Sequence, residues 1–371
     1  MNEAGQRVVV DAYAETPLEG VEQVRLEPQP VPDPAMLGST DAVVAVRSAS
    51  VGWVDLLMLS GQYQHMVSPP YTPGLEYSGV VSWIGEDVDP AKLAVGDRVM
   101  ADAFSTGPRS KGAHQGYGGL ASFAVAPASA LHRLPERFSF EQGACFFGNY
   151  ETAYHCLVAR GQLRAGQSVL IHGASGSTGL AAVHVAKLVG ATVIATGRSP
   201  DKLDVVRAQG ADHVVCTANP DGAPGLRSFK DEIKALTGGA GVDVVYDGVG
   251  GDISLESLRC LRFGAKFLIV GWAATPFVAK GKGQRGAPRA NVLPTNLIMM
   301  KGLDVLGCPT VISTEKDPSI REQRLAQLMA WVEAGKLSPL IGGTFQLTEV
   351  KEAMRAKWES RFVGNCVVRP R

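Results

Sequence analysis

The sequence has few cysteines, and no two of them stand at the spacing that binds zinc. Its 371 residues contain six cysteines, each isolated, and no C-x-x-C motif. They are Cys145, Cys156, Cys216, Cys260, Cys308 and Cys366. This pattern argues against a zinc knuckle, a C-x-x-C redox dithiol and a disulfide framework. We therefore expect six reduced, buried thiols.

Long apolar runs and an excess of charge of either sign are missing as well. The longest apolar stretch, within residues 266–280, is well short of a membrane span, and the N-terminal segment lacks the features of a signal peptide. Lys plus Arg and Asp plus Glu both number 36, so the formal net charge is zero. No global field would then favour nucleic acid or an anionic membrane. We expect a cytoplasmic protein with a small-molecule substrate and neither of those partners.

The chain changes texture near residue 168. Before it, short β-rich runs alternate with glycine and proline, which predicts a β-barrel-like domain with few helices. After it, six strand candidates alternate with helical stretches, which is typical of the doubly wound parallel sheet of the α/β class. The strand candidates are SVLIH, TVIAT, HVVC, VDVVYDGVG, AKFLIVGW and LDVLGC. The tail resumes the first texture, so we predict that residues 152–309 are inserted into a discontinuous domain of residues 1–151 and 310–371.

The segment SVLIHGASGSTGLAAVHVAKLVG predicts a phosphate-binding turn. A strand candidate ends at His172, and a turn of small residues leads into a helix near Thr178. Glycines let the backbone approach a pyrophosphate closely, and the helix N-terminus offers unpaired N–H groups. The flanking strand and helix are the context that this interpretation requires, and a structural turn without a ligand is the alternative. The predicted cofactor contacts here are Ala174, Ser175, Gly176, Ser177, Thr178 and Gly179.

The end of the second strand candidate indicates which dinucleotide is used. NAD-binding proteins generally place an acidic residue there for the ribose hydroxyls, whereas a 2′-phosphate requires cations. Here Thr196, Gly197, Arg198 and Ser199 occupy that place, and Lys202 follows on the next helix. Arg198 and Lys202 favour NADPH as the cofactor. The alternative is that both are ordinary solvated charges.

Several segments, in order along nearly the whole chain, resemble signatures of the medium-chain dehydrogenase/reductase superfamily. They are PGLEYSGVV, VGDRVMA, GYGGLASFAV, FEQGACFFGNYETAYHCLV, IHGASGSTGLAAVHVAKLVGATVIAT, SPDKLDVVRAQGADHVV and VDVVYDGVGG. The resemblance implies a GroES-like β-rich catalytic domain and a Rossmann domain that binds NADPH. It also implies an active site in the cleft between them and, as a usual assembly, a homodimer.

The zinc ligands of that superfamily are missing at the matching positions. Gly52 stands where zinc enzymes have a cysteine, Leu75 stands where they have a histidine, and Cys145 lies too early to match a further ligand. The segment at the structural zinc lobe, residues 104–119, has no cysteine. Glycine and leucine cannot ligate zinc, so we expect no metal. The sequence is thus similar to the zinc-free, quinone oxidoreductase-like branch, which includes enone and enoyl thioester reductases.

The resemblance also supplies candidate site residues. Tyr63 is the first choice for a proton donor or carbonyl anchor, with simple packing as the alternative. Trp53 would shape the pocket, because an indole can donate a hydrogen bond but cannot deliver a proton. Tyr150 is a further catalytic candidate. The remaining predicted cofactor contacts are Thr152, Asp247, Val249, Gly271, Trp272 and Asn365.

Substrate and function stay open at this point. A basic loop at residues 280–289, with Lys280, Lys282, Arg285 and Arg289, could receive the phosphates of a coenzyme A thioester or could be an ordinary solvated loop. The leading hypothesis is an NADPH-dependent, zinc-free reductase of a quinone or an α,β-unsaturated carbonyl. The alternatives are an alcohol dehydrogenase with a replacement for zinc and a non-catalytic NADPH-binding protein.

Overall fold

The chain forms two compact units. The computed structural model describes five stretches, residues 5–63, 65, 67–110, 112–275 and 291–370. Unit 1 contains the described residues of 1–148 and 338–371, and unit 2 contains those of 149–278 and 285–337. The basic loop predicted at residues 280–289 lies outside the described residues.

Fifteen strands and twelve α-helices are present in the described residues. The strands are β1 (Gly5–Val9), β2 (Arg25–Gln29), β3 (Asp41–Ser50), β4 (Tyr77–Ile84), β5 (Arg98–Ala101), β6 (Phe123–Pro127), β7 (Leu131–Arg133), β8 (Ser168–Ile171), β9 (Thr192–Gly197), β10 (His213–Cys216), β11 (Val242–Asp247), β12 (Leu261–Ile269), β13 (Asp304–Gly307), β14 (Ile341–Gln346) and β15 (Asn365–Arg369). The helices are α1 (Pro17–Gln23), α2 (Trp53–Met58), α3 (Phe140–Gly143), α4 (Phe147–Tyr154), α5 (Ser177–Val189), α6 (Pro200–Ala208), α7 (Lys230–Leu236), α8 (Asp252–Cys260), α9 (Thr295–Met300), α10 (Thr310–Lys316), α11 (Ile320–Glu333) and α12 (Val350–Trp358). Among these helices, none is both long enough and apolar enough to cross a membrane.

Unit 1 is organised around strand β3. This run of Val and Ala pairs antiparallel with β4, β6 and β15, and Val44 and Val46 on it are fully buried. The seven-stranded sheet has the order β14-β15-β3-β4-β5-β7, with β6 also on β3, and β1 and β2 form a separate pair. The end of the chain therefore returns to the first sheet. The β-rich domain expected from the sequence is confirmed.

Unit 2 is a six-stranded, all-parallel sheet. Its order is β10-β9-β8-β11-β12-β13, which is the doubly wound arrangement with the first strand beside the fourth. The central strand β8 carries Val169, Leu170 and Ile171, all fully buried, as expected where helices cover both faces of a parallel sheet. All six strands predicted from the sequence are present. The predicted doubly wound sheet is confirmed.

Residues 310–337 lie in unit 2, although the sequence texture grouped residues 310–371 with the first domain. A buried ion-pair cluster joins α11 to α4. Glu151 on α4, which is fully buried, pairs with Arg321 at 2.6 Å and with Arg324 at 2.7 Å. A carboxylate buried this completely needs such partners. Because the pairing residues are far apart in the chain, no local pattern reveals the cluster.

Candidate active site

The glycine turn between β8 and α5 has the geometry of a phosphate-binding turn. Gly173 has φ +62°, a conformation that glycine adopts without strain. A Cβ on Gly179 would lie 2.2 Å from the carbonyl oxygen of Gly173, so only glycine fits where α5 crosses the turn. Gly176 caps α5, whose first N–H groups have no partner within the helix. The turn thus combines close packing of α5 on the Gly173 backbone with a helix N-terminus.

The side chain of His172, the residue just before this turn, links it to β9 and α8. His172 is the residue after β8 and is buried, with Nδ1 at 2.8 Å from Thr196 Oγ1 on β9 and Nε2 at 2.6 Å from Ser257 Oγ on α8. Burial lowers the pKa of His172 to about 4, so the ring is neutral at pH 7. The sequence indicated His172 only as the last residue of a strand candidate. Its partners lie far away in sequence, so no motif could have indicated them.

Several predicted cofactor residues come together at the carboxyl ends of the strands. A Cβ on Gly173 would lie 3.2 Å from the Val249 side chain in the loop after β11. The amide of Ala274 donates to the carbonyl of Val249 at 2.8 Å, which joins that loop to the segment after β12. Gly271 and Trp272 lie in this segment, and Trp272 is 44% exposed. The structure thus gathers the glycine turn, Val249, Gly271 and Trp272 at one edge of the sheet, where ligands of such sheets bind.

Asp247, also predicted as a cofactor contact, is committed to its own loop. Its carboxylate is buried and accepts the amides of Val249 at 2.8 Å and Gly250 at 2.9 Å, and it accepts the hydroxyl of Ser254. These bonds leave Asp247 a supporting role, in which it fixes the loop that carries Val249. The carboxylate position at the end of a buried strand was visible in the sequence, but its partners were not.

The residues after β9 are those predicted from the sequence to hold a 2′-phosphate. Arg198 is exposed and Lys202 is half-buried on the first turn of α6. The carbonyl of Gly197 accepts the amide of Thr217 at 2.8 Å and the hydroxyl of Thr217 at 3.2 Å, which holds β9 and β10 together at this end. A cationic side chain at the open end of β9 could hold an anionic group on a ribose.

Helix α4 is tied to α5 by two hydrogen bonds within unit 2. Asn149 accepts the hydroxyl of Thr178 at 2.9 Å, and the Tyr150 hydroxyl lies 2.9 Å from Nδ1 of His184. Tyr150 is 2% exposed. Tyr150 therefore packs between these helices, and its catalytic role stays a prediction from the sequence. Thr152, one turn further on α4, is half-buried and stays a predicted cofactor contact.

In unit 1, Asp55 hydrogen-bonds the backbone of Gly52 and Leu75, the two positions at which the resemblance to the superfamily would place zinc ligands. Its carboxylate accepts the amide of Gly52 at 2.8 Å and the amides of Gly74 and Leu75 at 3.1 Å each. Asp55 is 2% exposed, and burial raises its pKa although these amides oppose the shift. Asp55 thus holds the backbone of Gly52 and of Leu75 in place. Neither Gly52 nor Leu75 carries a side chain that could ligate a metal.

Tyr63 has a cationic partner that sequence reasoning missed. Arg109 Nη2 donates to the Tyr63 hydroxyl oxygen at 3.1 Å, and the guanidinium carbon lies 5.6 Å from the centroid of the Tyr63 ring. The Arg109 Nη1 also donates to the carbonyl of Ala103 at 3.2 Å, which fixes its direction. Arg109 lies in the segment that replaces the cysteine-rich lobe, so the only sequence signal was its position in that unusual segment.

The other two predicted site residues of unit 1 pack against defined partners. Trp53 stacks on Trp358 of α12, with ring centroids 4.9 Å apart and an interplanar angle of 7°. The role of Trp53 in shaping the pocket stays a prediction. Asn365 is buried, and its side-chain amide donates to the carbonyl of Leu340 at 2.9 Å. Asn365 therefore joins the start of β15 to the residue before β14, and it stays a predicted cofactor contact.

Two family models match the chain. The model described as the alcohol dehydrogenase GroES-like domain matches residues 38–136, and the model described as zinc-binding dehydrogenase matches residues 177–329. The positions of Gly52 and Leu75 fall in the first match. The second match begins at the first residue of α5, and the described residues that it covers lie in unit 2.

Relatives match over most of the chain. The quinone oxidoreductase-like protein 2 homolog of Nematostella vectensis is 32% identical over 334 residues, which cover 90% of this chain and 82% of the relative. The human quinone oxidoreductase is 30% identical over 311 residues, which cover 84% of this chain and 83% of the relative. Both pairings include unit 1 and unit 2.

Solved structures share the fold. A probable oxidoreductase from Mycobacterium abscessus superposes with a TM-score of 0.79 at 26% identity, over 99% of this chain and 100% of that one. A mycobacterial protein solved in complex with NADPH has a TM-score of 0.77 at 24% identity, over 98% of this chain and 100% of that one. The class is that of the two-domain oxidoreductases with a GroES-like unit and a Rossmann-like sheet. The chain belongs to the medium-chain dehydrogenase/reductase superfamily, in its quinone oxidoreductase-like branch.

Proposed function

We propose that this chain is an NADPH-dependent, zinc-independent oxidoreductase that reduces a quinone or an α,β-unsaturated carbonyl compound. The observation that carries the proposal is the backbone around Asp55. It assembles Gly52 and Leu75 at the metal position of the superfamily, where neither residue has a ligating side chain. An alcohol dehydrogenase of this superfamily would need a Lewis acid at that position to polarise the alcohol oxygen.

The glycine turn and the end of β9 fit NADPH. Gly179 lets α5 pack directly on the backbone of Gly173, which brings the N-terminus of α5 and its positive potential to the turn where a pyrophosphate would bind. Arg198 and Lys202 would hold the 2′-phosphate. A structural relative that binds NADPH supports this choice of cofactor. Gly271, Trp272 and Val249 would contact the nicotinamide half at the adjoining edge of the sheet.

The nicotinamide, when bound, supplies a hydride. Without a metal to polarise the acceptor, the acceptor carbon must already be electrophilic, as in a quinone or a conjugated double bond. What the protein must then provide is orientation and a proton source. The names of the relatives, quinone oxidoreductase and quinone oxidoreductase-like protein 2, agree with such an acceptor.

Tyr63 is the proton donor that we propose. Because Arg109 donates a hydrogen bond to the Tyr63 oxygen, the Tyr63 O–H remains available to donate to the substrate oxygen or carbon. When that proton leaves, the guanidinium of Arg109 would stabilise the phenolate. Trp53 and Trp358 would form an apolar wall that orients a planar acceptor. Arg109 is therefore a positioning residue that acts through Tyr63.

The experiment is a steady-state assay of the purified protein, without added metal, on a quinone, an enone, an enoyl thioester and a primary alcohol. We expect turnover of at least one of the first three with NADPH and none of the alcohol with NADP⁺. Tyr63→Phe should lower kcat by about 100-fold for an enone and leave the NADPH affinity unchanged. Arg109→Leu should lower kcat less than Tyr63→Phe, because the Tyr63 hydroxyl remains but the developing phenolate loses its hydrogen-bond donor.

Two outcomes would favour the alternatives. Zinc-dependent oxidation of the alcohol would indicate a dehydrogenase with another metal site. Tight NADPH binding without turnover of any acceptor would indicate a non-catalytic binding protein. If Tyr63→Phe retains full kcat on every accepted substrate, the proton comes from another group, and the proposal for Tyr63 and Arg109 is lost while the reductase itself stands.

We further propose a homodimer that uses the β13 edge of unit 2. Among the described strands, β13 pairs only with β12, so its other edge can accept a second strand. Phe263, Met299 and Met300 are 74%, 72% and 70% exposed, an unusual degree for large apolar side chains. Light scattering of the wild type and of a Met299→Asp, Met300→Asp variant would test the assembly. A monomeric wild type would refute it.

The cytoplasmic location stays a prediction from the sequence.

A further inference from the structure

The buried face of helix α11 carries an arginine where the following turns carry apolar residues. Arg324, Leu328 and Val332 follow one another at four-residue spacing, so they lie on the same face of the helix. Leu328 and Val332 are fully buried, and Arg324 is only 2% exposed. An arginine is almost never buried to this extent unless its charge and its donors have partners. The groups around Arg324 therefore decide what this side chain does.

The ion-pair cluster around Arg324 has more positive than negative charge. The carboxylate of Glu151 on α4 accepts a hydrogen bond from Arg324 Nε at 2.8 Å and pairs with Arg321 Nη2 at 2.6 Å. The Arg321 side chain is 15% exposed, so little solvent reaches it. His155, four residues after Glu151, is neutral at pH 7, because burial and the nearby charges of Arg324 and Arg160 lower its pKa to about 4. One carboxylate and two guanidinium groups together carry one positive charge.

The hydrogen-bond donors of Arg324 are only partly used. Its Nη2 donates to Thr314 Oγ1 on α10 at 2.8 Å, and that hydroxyl donates to the carbonyl of Thr310 at 2.9 Å. Arg324 Nη1 is buried and has no hydrogen-bond partner among the described residues, and the same holds for Thr310 Oγ1. A buried donor without an acceptor is costly, and more so when it is charged. Two buried groups on α10 and α11 thus still require an acceptor.

We propose that Arg324 and Thr310 bind a chloride ion in a buried site formed by α10 and α11 of unit 2. Arg324 Nη1 and the Thr310 hydroxyl donate hydrogen bonds to the ion, whose single negative charge balances that of the cluster. A water molecule would accept the same hydrogen bonds but would leave the buried positive charge unbalanced. A dianion such as sulfate would reverse the sign of the charge. The charge of the cluster therefore selects a small monovalent anion.

The chloride ion would stabilise the attachment of α10 and α11 to α4. The residues of the cluster and the two donors all lie in unit 2, so binding requires nothing from unit 1. An ion that binds the folded chain and not the unfolded chain raises stability by mass action. The site takes no part in hydride transfer, and the proposal holds whichever substrate the protein reduces. Its signature is therefore a stability that depends on chloride.

The first test is thermal unfolding of the wild-type protein at pH 7 and constant ionic strength. Chloride would replace gluconate, an anion too large for a buried site, from about 1 mM to about 200 mM. We expect Tm to rise by about 3 °C over this range, and bromide should act in the same way as chloride. A Tm that is equal in chloride and in gluconate would overturn the proposal.

Variants separate the role of charge from that of the donors. Arg321→Gln keeps Arg324 Nη1 but removes one positive charge from the cluster, so the chloride concentration for half of the Tm shift should rise about tenfold. Thr310→Val removes one donor and should also raise that concentration. Arg164→Gln, a change of an exposed arginine elsewhere in unit 2, is the control and should respond to chloride as the wild type does. An unchanged chloride response in Arg321→Gln would contradict the charge argument and overturn the proposal.

A crystal of the wild-type protein grown in bromide gives a direct answer that needs no variant to fold. Bromide scatters anomalously and binds where chloride binds. We expect an anomalous peak in hydrogen-bond contact with Arg324 Nη1 and Thr310 Oγ1. A water molecule at this place without an anomalous signal would show a hydration site, and bromide peaks on the surface alone would show adventitious ions only. Either of these results would overturn the proposal.

Discussion

The turn after β8 and the backbone around Asp55 are the two places where this chain would meet the ligands of its superfamily. In the turn, both the backbone and the residue types are kept, because Gly173 and Gly179 occupy positions that a Cβ would block or strain. Around Asp55, the positions that match the superfamily's zinc ligands are Gly52 and Leu75, neither of which has a side chain that could ligate a metal. The two places therefore differ in whether their residue types fit the ligand expected from the superfamily.

The two places also differ in what holds them together. The turn is supported by a buried neutral ring, that of His172, between β9 and α8. The backbone at Gly52 and Leu75 is held by a buried carboxyl group, that of Asp55, which accepts three amides. Their protonation equilibria are displaced in opposite directions, since burial disfavours whichever form is charged.

The largest effect is expected from closing the glycine turn. Gly179→Ala places a Cβ 2.2 Å from the carbonyl oxygen of Gly173, so α5 must shift away from the turn. We expect the affinity for NADPH to fall by about 100-fold, since the N-terminus of α5 would no longer lie where the pyrophosphate would bind. Fluorescence titration of NADPH with the purified variant would measure this.

A matched glycine provides the control for that variant. Gly116→Ala places its Cβ where no atom lies within 4 Å, so it should bind NADPH as the wild type does. If Gly179→Ala also retains wild-type affinity while folded, the turn is structural and binds no pyrophosphate. The glycine turn would then no longer differ from the backbone around Asp55 as a place that binds its expected ligand.

The next effect is expected at the open end of β9. Arg198→Glu replaces an exposed cation by an anion at the place of the 2′-phosphate. We expect the ratio of kcat/KM for NADPH to that for NADH to fall by about tenfold or more, because the phosphate is then repelled. Arg164→Glu, an exposed charge change elsewhere in unit 2, should leave this ratio unchanged. An unchanged ratio in Arg198→Glu would remove the charge argument for NADPH.

A smaller effect is expected from acid. The folded-state pKa of His172 is lowered to about 4, below its ordinary value of 6.5. Its contribution to stability is therefore present above pH 6.5 and is lost as pH falls toward 4. The free energy of unfolding around β8 and β9 should drop by about 1.4 kcal/mol per pH unit in this window, and hydrogen exchange of those amides would measure it.

The residues around Asp55 should respond in the opposite direction. Because burial raises the pKa of Asp55, its contribution to stability is present below its ordinary pKa of 3.8 and is lost as pH rises through the raised pKa.

A variant of His172 is the control for the acid effect. His172→Gln should flatten the acid-dependent loss of unfolding free energy at β8, whereas His213→Gln, at the start of β10, should not. The same slope at β8 in His172→Gln and in the wild type would show that another group titrates there.

The smallest effect is expected from removing metal. Dialysis against a strong chelator should change the reductase rate by less than about twofold, because Gly52 and Leu75 offer no ligand at the expected position. Metal analysis of the purified protein should find zinc well below one equivalent. A chelator-sensitive rate that zinc restores would place the metal on other residues and would erase the contrast between the two places.

Much of unit 2 could be read from the sequence because its signals are local. The six strand runs, the glycine turn and the absence of an acid after β9 each lie within a few neighbouring residues, and each predicts its own structure. The same holds for the missing ligands at Gly52 and Leu75, which the superfamily pattern exposes. The roles of Asp247, Tyr150 and Asn365 were not accessible in this way, because each depends on partners that only the fold supplies.

The sequence by itself thus determined the superfamily, the doubly wound sheet and the residue types at the turn and at the positions that match the superfamily's zinc ligands. The tertiary structure alone decided that Arg109 bonds Tyr63, that His172 bonds Thr196 beside the turn, and that Glu151 ties α11 to α4. The physical reason is the range of the interactions. Turns, caps and strand patterns follow from neighbours along the chain, whereas buried polar groups are paired by whichever distant residue the fold brings within hydrogen-bond distance.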